Sequence, residues 1–127
     1  MLTTGLKGKA EVKVDDTNTA VTMGSGSLKV FATPAMIALI EKAACTALEG
    51  QLEDGQTTVG TKLDVAHVAA TPVGMNVTAE AVLTEIDNRR LVFEVVARDE
   101  KDIIGKGIHE RFIVNAGKFT AKTYGKV

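Results

Sequence analysis

The sequence predicts an α+β protein in which a sheet of mostly antiparallel strands wraps around one long helix. Two observations carry this prediction. Apolar and polar residues alternate over residues 8–14 and again through most of the chain after Thr57, which is the period of a strand with one buried face. Between these regions, residues 34–49 consist mainly of strong helix formers. Runs of strands around a single helical segment are typical of the α+β class.

The N-terminal third is expected to contain two strands followed by the helix. The first strand covers residues 8–14, and the short apolar stretch Ala20–Met23 is expected to form the second. Thr33 can cap the free amides at the start of the helix, and Pro34 suits the first helical position. Gly50 is the expected end of the helix.

The remainder of the chain is predicted to form strands only. Four runs with strand character cover residues 58–69, 75–86, 90–98 and 103–114. Asp87 and Asn88 form a hairpin signal between the second and third of these runs, and the charged turn Asp99–Asp102 joins the third to the fourth. The expected order is therefore two strands, one helix and four strands.

Composition excludes several classes of protein. The chain has 127 residues, 15 Lys and Arg against 16 Asp and Glu, and one cysteine. This length fits a single domain, residues 1–127, that buries a core without metal or disulfide bonds. A net charge of −1 and five scattered aromatic residues argue against a nucleic-acid partner. No segment has signal-peptide or membrane-span character, so we expect a cytoplasmic protein that binds no membrane.

Glu41 occupies an unusual position on the predicted helix. At about 100° per residue, Lys42, Thr46 and Glu49 form one narrow polar stripe, while Glu41 lies roughly 80–140° away among apolar neighbours. Burial of a charge without partners is costly. Glu41 therefore either reaches water or a lysine at the helix edge, or it serves a chemical function.

His67 is the second candidate. On a regular strand it shares a face with Val59, Leu63 and Val65, so the imidazole is expected to point toward the helix. A single histidine there is commonly a satisfied core residue. An inward acid on the only helix together with an inward imidazole on a facing strand is a stronger indication, because two titratable groups then converge in an apolar site.

Three other residues carry weaker indications. Thr33 lies at the helix N-terminus, where free amides can hold developing negative charge, although it can equally serve only as a cap. Arg111 shares a strand face with His109 and can meet an anionic group or form an ion pair. Cys45 is expected to be a buried structural thiol. Two histidines without carboxylates at ligand spacing predict no metal site.

Three separated segments resemble the fluoroacetyl-CoA thioesterase group of the hot-dog superfamily. They are VFATPAMIALIEKAACTAL (30–48), VGTKLDVAHVAATPVG (59–74) and GKGIHERFIV (105–114). The resemblance implies a hot-dog fold and catalysis by the family's threonine, glutamate and histidine, which fall on Thr33, Glu41 and His67. It further implies active-site or substrate contacts for Gly60 and Arg111, which match a glycine and an arginine of the family.

The segment before the helix departs from the family pattern. In the fluoroacetyl-CoA enzyme a lid with phenylalanines precedes the helix and favours the fluorinated acyl group. The corresponding residues 23–31 are short and glycine-rich here, and Phe31 is their only aromatic residue. We therefore expect Phe31 to be a substrate contact and the lid, with its fluoroacetyl selectivity, to be absent.

The resemblance implies a thioesterase that hydrolyses a short-chain acyl-CoA to the free acid and CoA without a metal or redox cofactor. Glu41 would act as general base or as nucleophile, His67 would orient groups or transfer a proton, and Thr33 would bind the substrate carbonyl. Two alternatives stay open: an enoyl-CoA hydratase-type reaction and a non-catalytic acyl-CoA or small-ligand binding protein. Hot-dog proteins are typically dimers with sites at the interface, so a homodimer with shared sites is expected.

Overall fold

The computed structural model describes all 127 residues and contains one antiparallel sheet and three helices. The strands are β1 (Lys7–Lys13), β2 (Gln56–His67), β3 (Asn76–Asp87), β4 (Arg90–Arg98) and β5 (Ile103–Asn115). Their order in the sheet is β1-β3-β4-β5-β2, so β1 and β2 form the two edges. The helices are α1 (Ala20–Met23), α2 (Thr33–Ala47) and α3 (Ala116–Tyr124). The predicted α+β class with one long helix against an antiparallel sheet is confirmed.

Helix α2 packs mainly on β1 and β3, at one side of the sheet. Its buried residues recur at the three- and four-residue spacing of an amphipathic helix: Met36, Leu39, Ile40, Ala43, Ala44 and Ala47. Gly8 on β1 permits a close approach, because a Cβ atom there would collide with the backbone of Ala43 and Ala47. The core therefore lies under β1, β3 and β4, and β2 receives little cover from the helix.

Two sequence predictions about secondary structure are wrong. Ala20–Met23 is a single helical turn, closed by Gly24 in the left-handed conformation (φ 74°), and not a strand. Four residues are too few for an alternating pattern to distinguish a turn of helix from a strand. The chain also ends in the helix α3, although only strands were predicted after Thr57. Asn115 caps α3 by accepting a hydrogen bond from the Lys118 N–H.

A β-bulge in β2 changes the face on which its residues lie. Gly60 pairs with Arg111 and Lys62 pairs with Glu110, so Thr61 is the extra residue. Residues opposite each other in an antiparallel pair share a face. Gly60 therefore faces α2 together with Arg111, while beyond the bulge the residues that face α2 are Leu63, Val65 and His67. The inward direction of His67 is confirmed, but the prediction that Val59 shares its face is wrong.

No helix is long and apolar enough to cross a membrane.

The contact between Gly8 and α2 generates a prediction about stability. Gly8→Ala should lower the free energy of unfolding by about 1–3 kcal/mol, because the new methyl group overlaps helix backbone that cannot move aside. Urea denaturation measures the change. Gly117→Ala in the exposed helix α3 is the control, and it should leave the free energy unchanged or raise it by up to about 1 kcal/mol. Equal stability of Gly8→Ala and wild type would contradict the proposed close packing.

Candidate active site

Thr33 and His67 form a hydrogen-bonded pair, called here the threonine–histidine pair. The Thr33 Oγ1 atom lies 2.7 Å from His67 Nδ1. Helix α2 begins at Thr33 with Ala32 as the N-cap residue, and no side chain caps the helix. The cap interpretation of Thr33 is therefore wrong: its hydroxyl is directed to the imidazole at the end of β2.

The second ring nitrogen of His67 has no partner. His67 Nε2 is buried and makes no hydrogen bond within the chain. Burial lowers the pKa of His67 below its usual value of 6.5, because desolvation disfavours the charged imidazolium. The Ala69 backbone acts in the opposite direction on this pKa, and desolvation is the larger effect, so the ring is neutral at neutral pH.

An open cavity of about 300 Å³ adjoins this pair. Its wall comes from α1 and the loop after it, from the start of α2, and from the segment that follows β2. The lining residues are Ala20, Ser25, Val30, Phe31, Thr33, His67, Val68, Ala69 and Ala70. Phe31 is part of this wall, but only 1% of its surface is exposed, and it belongs to the hydrophobic core.

Glu41 belongs to a second group of side chains, the glutamate cluster, which consists of Glu41, Gly60, His109 and Arg111. The Glu41 Oε2 atom lies 3.5 Å from Arg111 Nη1, and the Glu41 side chain is 38% exposed while that of Arg111 is 8% exposed. Glu41 thus lies at the edge of the apolar face with a buried arginine as partner. A lysine was one predicted partner of Glu41, and the partner in the structure is an arginine instead.

Arg111 is held by several acceptors. Its Nε atom donates to Thr58 Oγ1 at 2.9 Å, and its Nη2 atom donates to the Thr58 carbonyl at 3.1 Å. Its Nη1 atom donates to Glu41 and also lies 3.1 Å from His109 Nε2. A buried guanidinium with this many partners has a fixed orientation.

Gly60 provides the space in which the Glu41 carboxylate lies. A Cβ atom at Gly60 would be 2.6 Å from Glu41 Oε2 and 3.3 Å from Arg111 Nη1. Any side chain at this position would therefore displace the carboxylate. The absence of a side chain also leaves the backbone of β2 open to a molecule that approaches Glu41.

The threonine–histidine pair and the glutamate cluster do not meet within one chain. Thr33 and Glu41 are eight residues apart on α2, which corresponds to about 12 Å along the helix axis. Gly60 and His67 are seven residues apart on β2, which corresponds to about 23 Å of strand. The simple expectation that Glu41 and His67 converge in one protomer is therefore wrong.

Two features were not predicted from the sequence: the place of His109 in the glutamate cluster and the exposure of Cys45. His109 is completely buried, and its ring nitrogens contact Lys62 and Arg111. Its shared face with Arg111 was the only sequence signal for this arrangement. Cys45 is exposed, which contradicts the expected buried thiol. No three side chains with metal-ligating atoms lie together in the structure.

Comparison with known proteins identifies the class to which this site and fold belong. Residues 14–117 match the sequence profile of the family described as fluoroacetyl-CoA-specific thioesterase. A fluoroacetyl-CoA thioesterase of Streptantibioticus cattleyicolor is 44% identical over 98 residues, or 77% of this chain and 70% of that enzyme. A solved structure of the fluoroacetyl-CoA thioesterase FlK superimposes with a TM-score of 0.93 at 34% identity and covers 100% of this chain and 98% of that chain.

More distant structures show the same fold. A hypothetical protein of Thermus thermophilus, described as a thioesterase superfamily member, has a TM-score of 0.89 at 26% identity and covers 98% of this chain and 92% of its own. A hot-dog-like protein of Thermanaerovibrio acidaminovorans has a TM-score of 0.86 at 20% identity, with coverage of 97% and 91%. The fold is the hot-dog fold, and the class is that of the hot-dog thioesterases, which are hydrolases. Within this class, the chain belongs to the fluoroacetyl-CoA-specific thioesterase family.

The lowered pKa values of the two histidines predict a pH-dependent stability. Desolvation lowers the pKa of His109 and of His67 below 6.5 in the folded protein. Below pH 6.5 the unfolded chain therefore binds more protons than the folded chain, and the free energy of unfolding must fall as the pH falls. The loss attributable to the fully buried His109 is at most about 1.4 kcal/mol per pH unit. Urea denaturation between about pH 7 and pH 5 measures it, above the range in which carboxylates titrate.

His109→Gln serves as the control for this pH dependence. Glutamine does not titrate, so the variant should show a smaller change in the free energy of unfolding over the same range, whatever its stability at pH 7. A wild-type stability that is constant from pH 7 to pH 5 would contradict the burial of neutral imidazoles.

Gly60 generates a prediction about activity. Gly60→Ala should lower kcat by about tenfold or more. The new methyl group would lie 2.6 Å from Glu41 Oε2, so the carboxylate must move away from its position. Gly60 lies on an exposed edge strand, so the melting temperature should change little. Release of free thiol from an acyl-CoA measures kcat. Wild-type kcat in Gly60→Ala would show that the position of Glu41 at Gly60 does not matter to the reaction.

Proposed function

We propose that the protein hydrolyses short-chain acyl-CoA thioesters to the carboxylic acid and free CoA, with Thr33, Glu41 and His67 as catalytic residues. The observation that carries this proposal is the Thr33–His67 hydrogen bond at the wall of an open cavity, together with the buried His67 Nε2 atom, which makes no hydrogen bond within the chain. A buried nitrogen without a protein partner is costly unless a ligand or water supplies one. Protein groups and water suffice for the proposed reaction, which requires no metal or redox cofactor.

The proposed task of His67 is proton transfer at the sulfur or at water. When His67 Nδ1 carries the hydrogen and donates it to Thr33 Oγ1, the Nε2 lone pair can take a proton that originates from the attacking water, and the imidazolium so formed can donate that proton to the departing thiolate. A neutral imidazole at neutral pH is suited to this task, since it can both accept a proton from water and return one. Lowering of the His67 pKa by burial supports this assignment.

The proposed task of Thr33 is to orient His67 and to bind the thioester carbonyl. The first backbone hydrogen bond of α2 runs from the Met36 N–H to the Ala32 carbonyl. The N–H groups of Thr33 and Ala35 precede this bond, and Pro34 has none. Free amides at a helix start can hold the negative charge that develops on a carbonyl oxygen during attack.

The proposed task of Glu41 is to deliver the nucleophile. As a general base, Glu41 would remove a proton from the water that attacks the carbonyl carbon. As a nucleophile, its carboxylate oxygen would attack the same carbon, expel the CoA thiolate and form an anhydride that water then cleaves. A single turnover in oxygen-18 water distinguishes the two, because only hydrolysis of an anhydride can leave the label in Glu41.

A homodimer would complete the site. β2 hydrogen-bonds only to β5, so the other edge of this twelve-residue strand is unpaired. It also exposes apolar side chains, with Leu63 39% and the adjoining Val68 56% exposed. An exposed apolar edge strand is a template for pairing with a second chain. We propose that two copies join their β2 edges in antiparallel fashion around a two-fold axis.

Such pairing would bring the two halves of the site together. In an antiparallel pair around a two-fold axis at Asp64, Leu63 of one chain lies opposite Val65 of the other, and because Thr61 is an extra residue, Gly60 lies opposite residue 67. The glutamate cluster of each chain would then face the threonine–histidine pair of its partner. Two equivalent active sites would result, each built from both chains.

The acyl group is proposed to be short, without selectivity for the fluorinated one. A structure of FlK contains acetyl-CoA and another contains fluoroacetate. Here Phe31, the only aromatic residue in the 23–31 segment, is buried in the core, and the cavity is lined by small residues such as Ala20 and Ser25. This wall supplies no aromatic lid over the acyl group.

The cytoplasmic location of the protein stays a prediction.

Substitution of Glu41 and His67 tests the catalytic assignment. Glu41→Gln and His67→Ala should each reduce kcat by about 10²–10⁴-fold, since each removes a group that moves a proton or attacks carbon. Thiol release from a panel of acyl-CoAs of increasing chain length measures the activity. Glu49→Gln, an exposed carboxylate just beyond α2, is the matched control and should retain wild-type kcat. Failure of the wild type to hydrolyse any acyl-CoA, or full activity in both variants, would refute the proposed function.

Mixed dimers test the shared site. Glu41→Gln and His67→Ala are each expected to be nearly inactive alone, but in a site-sharing dimer of one chain of each kind, one site would carry both substitutions and the other neither. After exchange of subunits, the mixture should recover about a quarter of the wild-type activity. If each site were built within one chain, every site in the mixture would carry a substitution and no activity would return.

A further inference from the structure

His109 is a buried titratable group to which the proposed reaction assigns no task. It is completely buried on β5, where it lies opposite Phe93 of β4 with ring centroids 6.3 Å apart. Both ring nitrogens have partners. Nδ1 lies 2.8 Å from the Lys62 carbonyl oxygen, and Nε2 lies 3.1 Å from Arg111 Nη1.

These two partners determine the position of the proton on His109. The Lys62 carbonyl can only accept, so Nδ1 must carry a hydrogen. The guanidinium of Arg111 can only donate, so Nε2 must present its lone pair. Only the neutral imidazole protonated at Nδ1 satisfies both contacts, because an imidazolium would place its Nε2–H against the N–H of Arg111.

The charged surroundings of His109 agree with a neutral ring. Desolvation lowers the pKa of His109, and the Arg111 guanidinium acts in the same direction, against the Lys62 carbonyl, Glu41 and Glu110. These groups come from α2, β2 and β5, and β4 contributes the ring of Phe93. Glu110 lies on the same strand but is itself bound to Arg90 at 2.9 Å.

The contacts of His109 join parts of the site that are distant in sequence. Lys62 is next to the extra residue of the β2 bulge, two residues beyond Gly60. Arg111 uses the remaining hydrogen of the same Nη1 atom to reach Glu41. The imidazole therefore contacts the β2 bulge through Nδ1 and the arginine that binds Glu41 through Nε2.

We propose that His109 is a positioning residue of the active site: as the neutral Nδ1–H tautomer it joins the β2 bulge to Arg111 and thereby holds Arg111 against Glu41. This inference rests on the proposed function, because the effect on turnover passes through Glu41. His109 touches neither the substrate cavity nor the reacting atoms in this arrangement.

Three variants separate positioning from packing. His109→Phe retains a ring against Phe93 and removes both hydrogen bonds, and it should lower kcat about tenfold or more with KM changed by less than about threefold. His109→Gln places an amide oxygen near the former Nε2 position, where it can accept from Arg111, and should recover most of kcat. Phe93→Leu disturbs the packing of the imidazole and of the core around it without removing either hydrogen bond of His109, and it should lower the melting temperature while kcat stays near the wild-type value.

Nitrogen-15 NMR of histidine-labelled protein provides a readout independent of turnover. The chain contains two histidines, so a His67→Gln sample assigns both. The spectrum should show His109 protonated at Nδ1 and unprotonated at Nε2 at pH 7. A His109 protonated at Nε2, or at both nitrogens, would overturn the inference.

The kinetic outcomes distinguish the inference from the proposed function. A wild-type protein that hydrolyses no acyl-CoA overturns the proposed function, and NMR then still decides the tautomer. With an active wild type, unchanged kcat in His109→Phe overturns the positioning role. An equal loss of kcat in His109→Phe, His109→Gln and Phe93→Leu also overturns it, since packing alone would then account for the loss.

Discussion

The position of α2 on one side of the sheet is the constraint on which the other features depend. Gly8 of β1 allows the helix backbone to approach the strand closely, and the alanines of α2 face the small residues of β1 and β3. Because the helix lies on this side, it leaves the adjacent face of β5 and β2 uncovered. The polar groups of the site occupy that space, since a centrally placed helix would have filled it with apolar contacts.

Burial of charge in this space is compensated by hydrogen bonds. Arg111 is nearly buried, yet Thr58, His109 and Glu41 accept from its guanidinium. A buried cation without such partners would be strongly destabilising. The same network needs a neutral His109, so the polar cluster and the protonation of one ring depend on each other.

The two groups of polar residues lie apart because α2 and β2 are both extended elements. Thr33 and Glu41 point toward the same open side from different turns of the helix, and His67 and Gly60 do so from different ends of the strand. The arrangement in one chain therefore resembles two halves of a site. This is the physical reason that a second copy is proposed to complete it.

The sequence by itself determined the long helix, the main strands, the place of Glu41 away from the polar stripe of the helix and the inward direction of His67, because local periodicity reports which face a residue occupies. It could not determine that Thr33 contacts His67, 34 residues away, or that Arg111 contacts Glu41, 70 residues away. Those contacts depend on strand register and on the bulge at Thr61, which reverses the alternation of β2 and brings Gly60 beneath Glu41. A pattern of neighbouring residues carries no information about such pairings, so only the tertiary structure decided them.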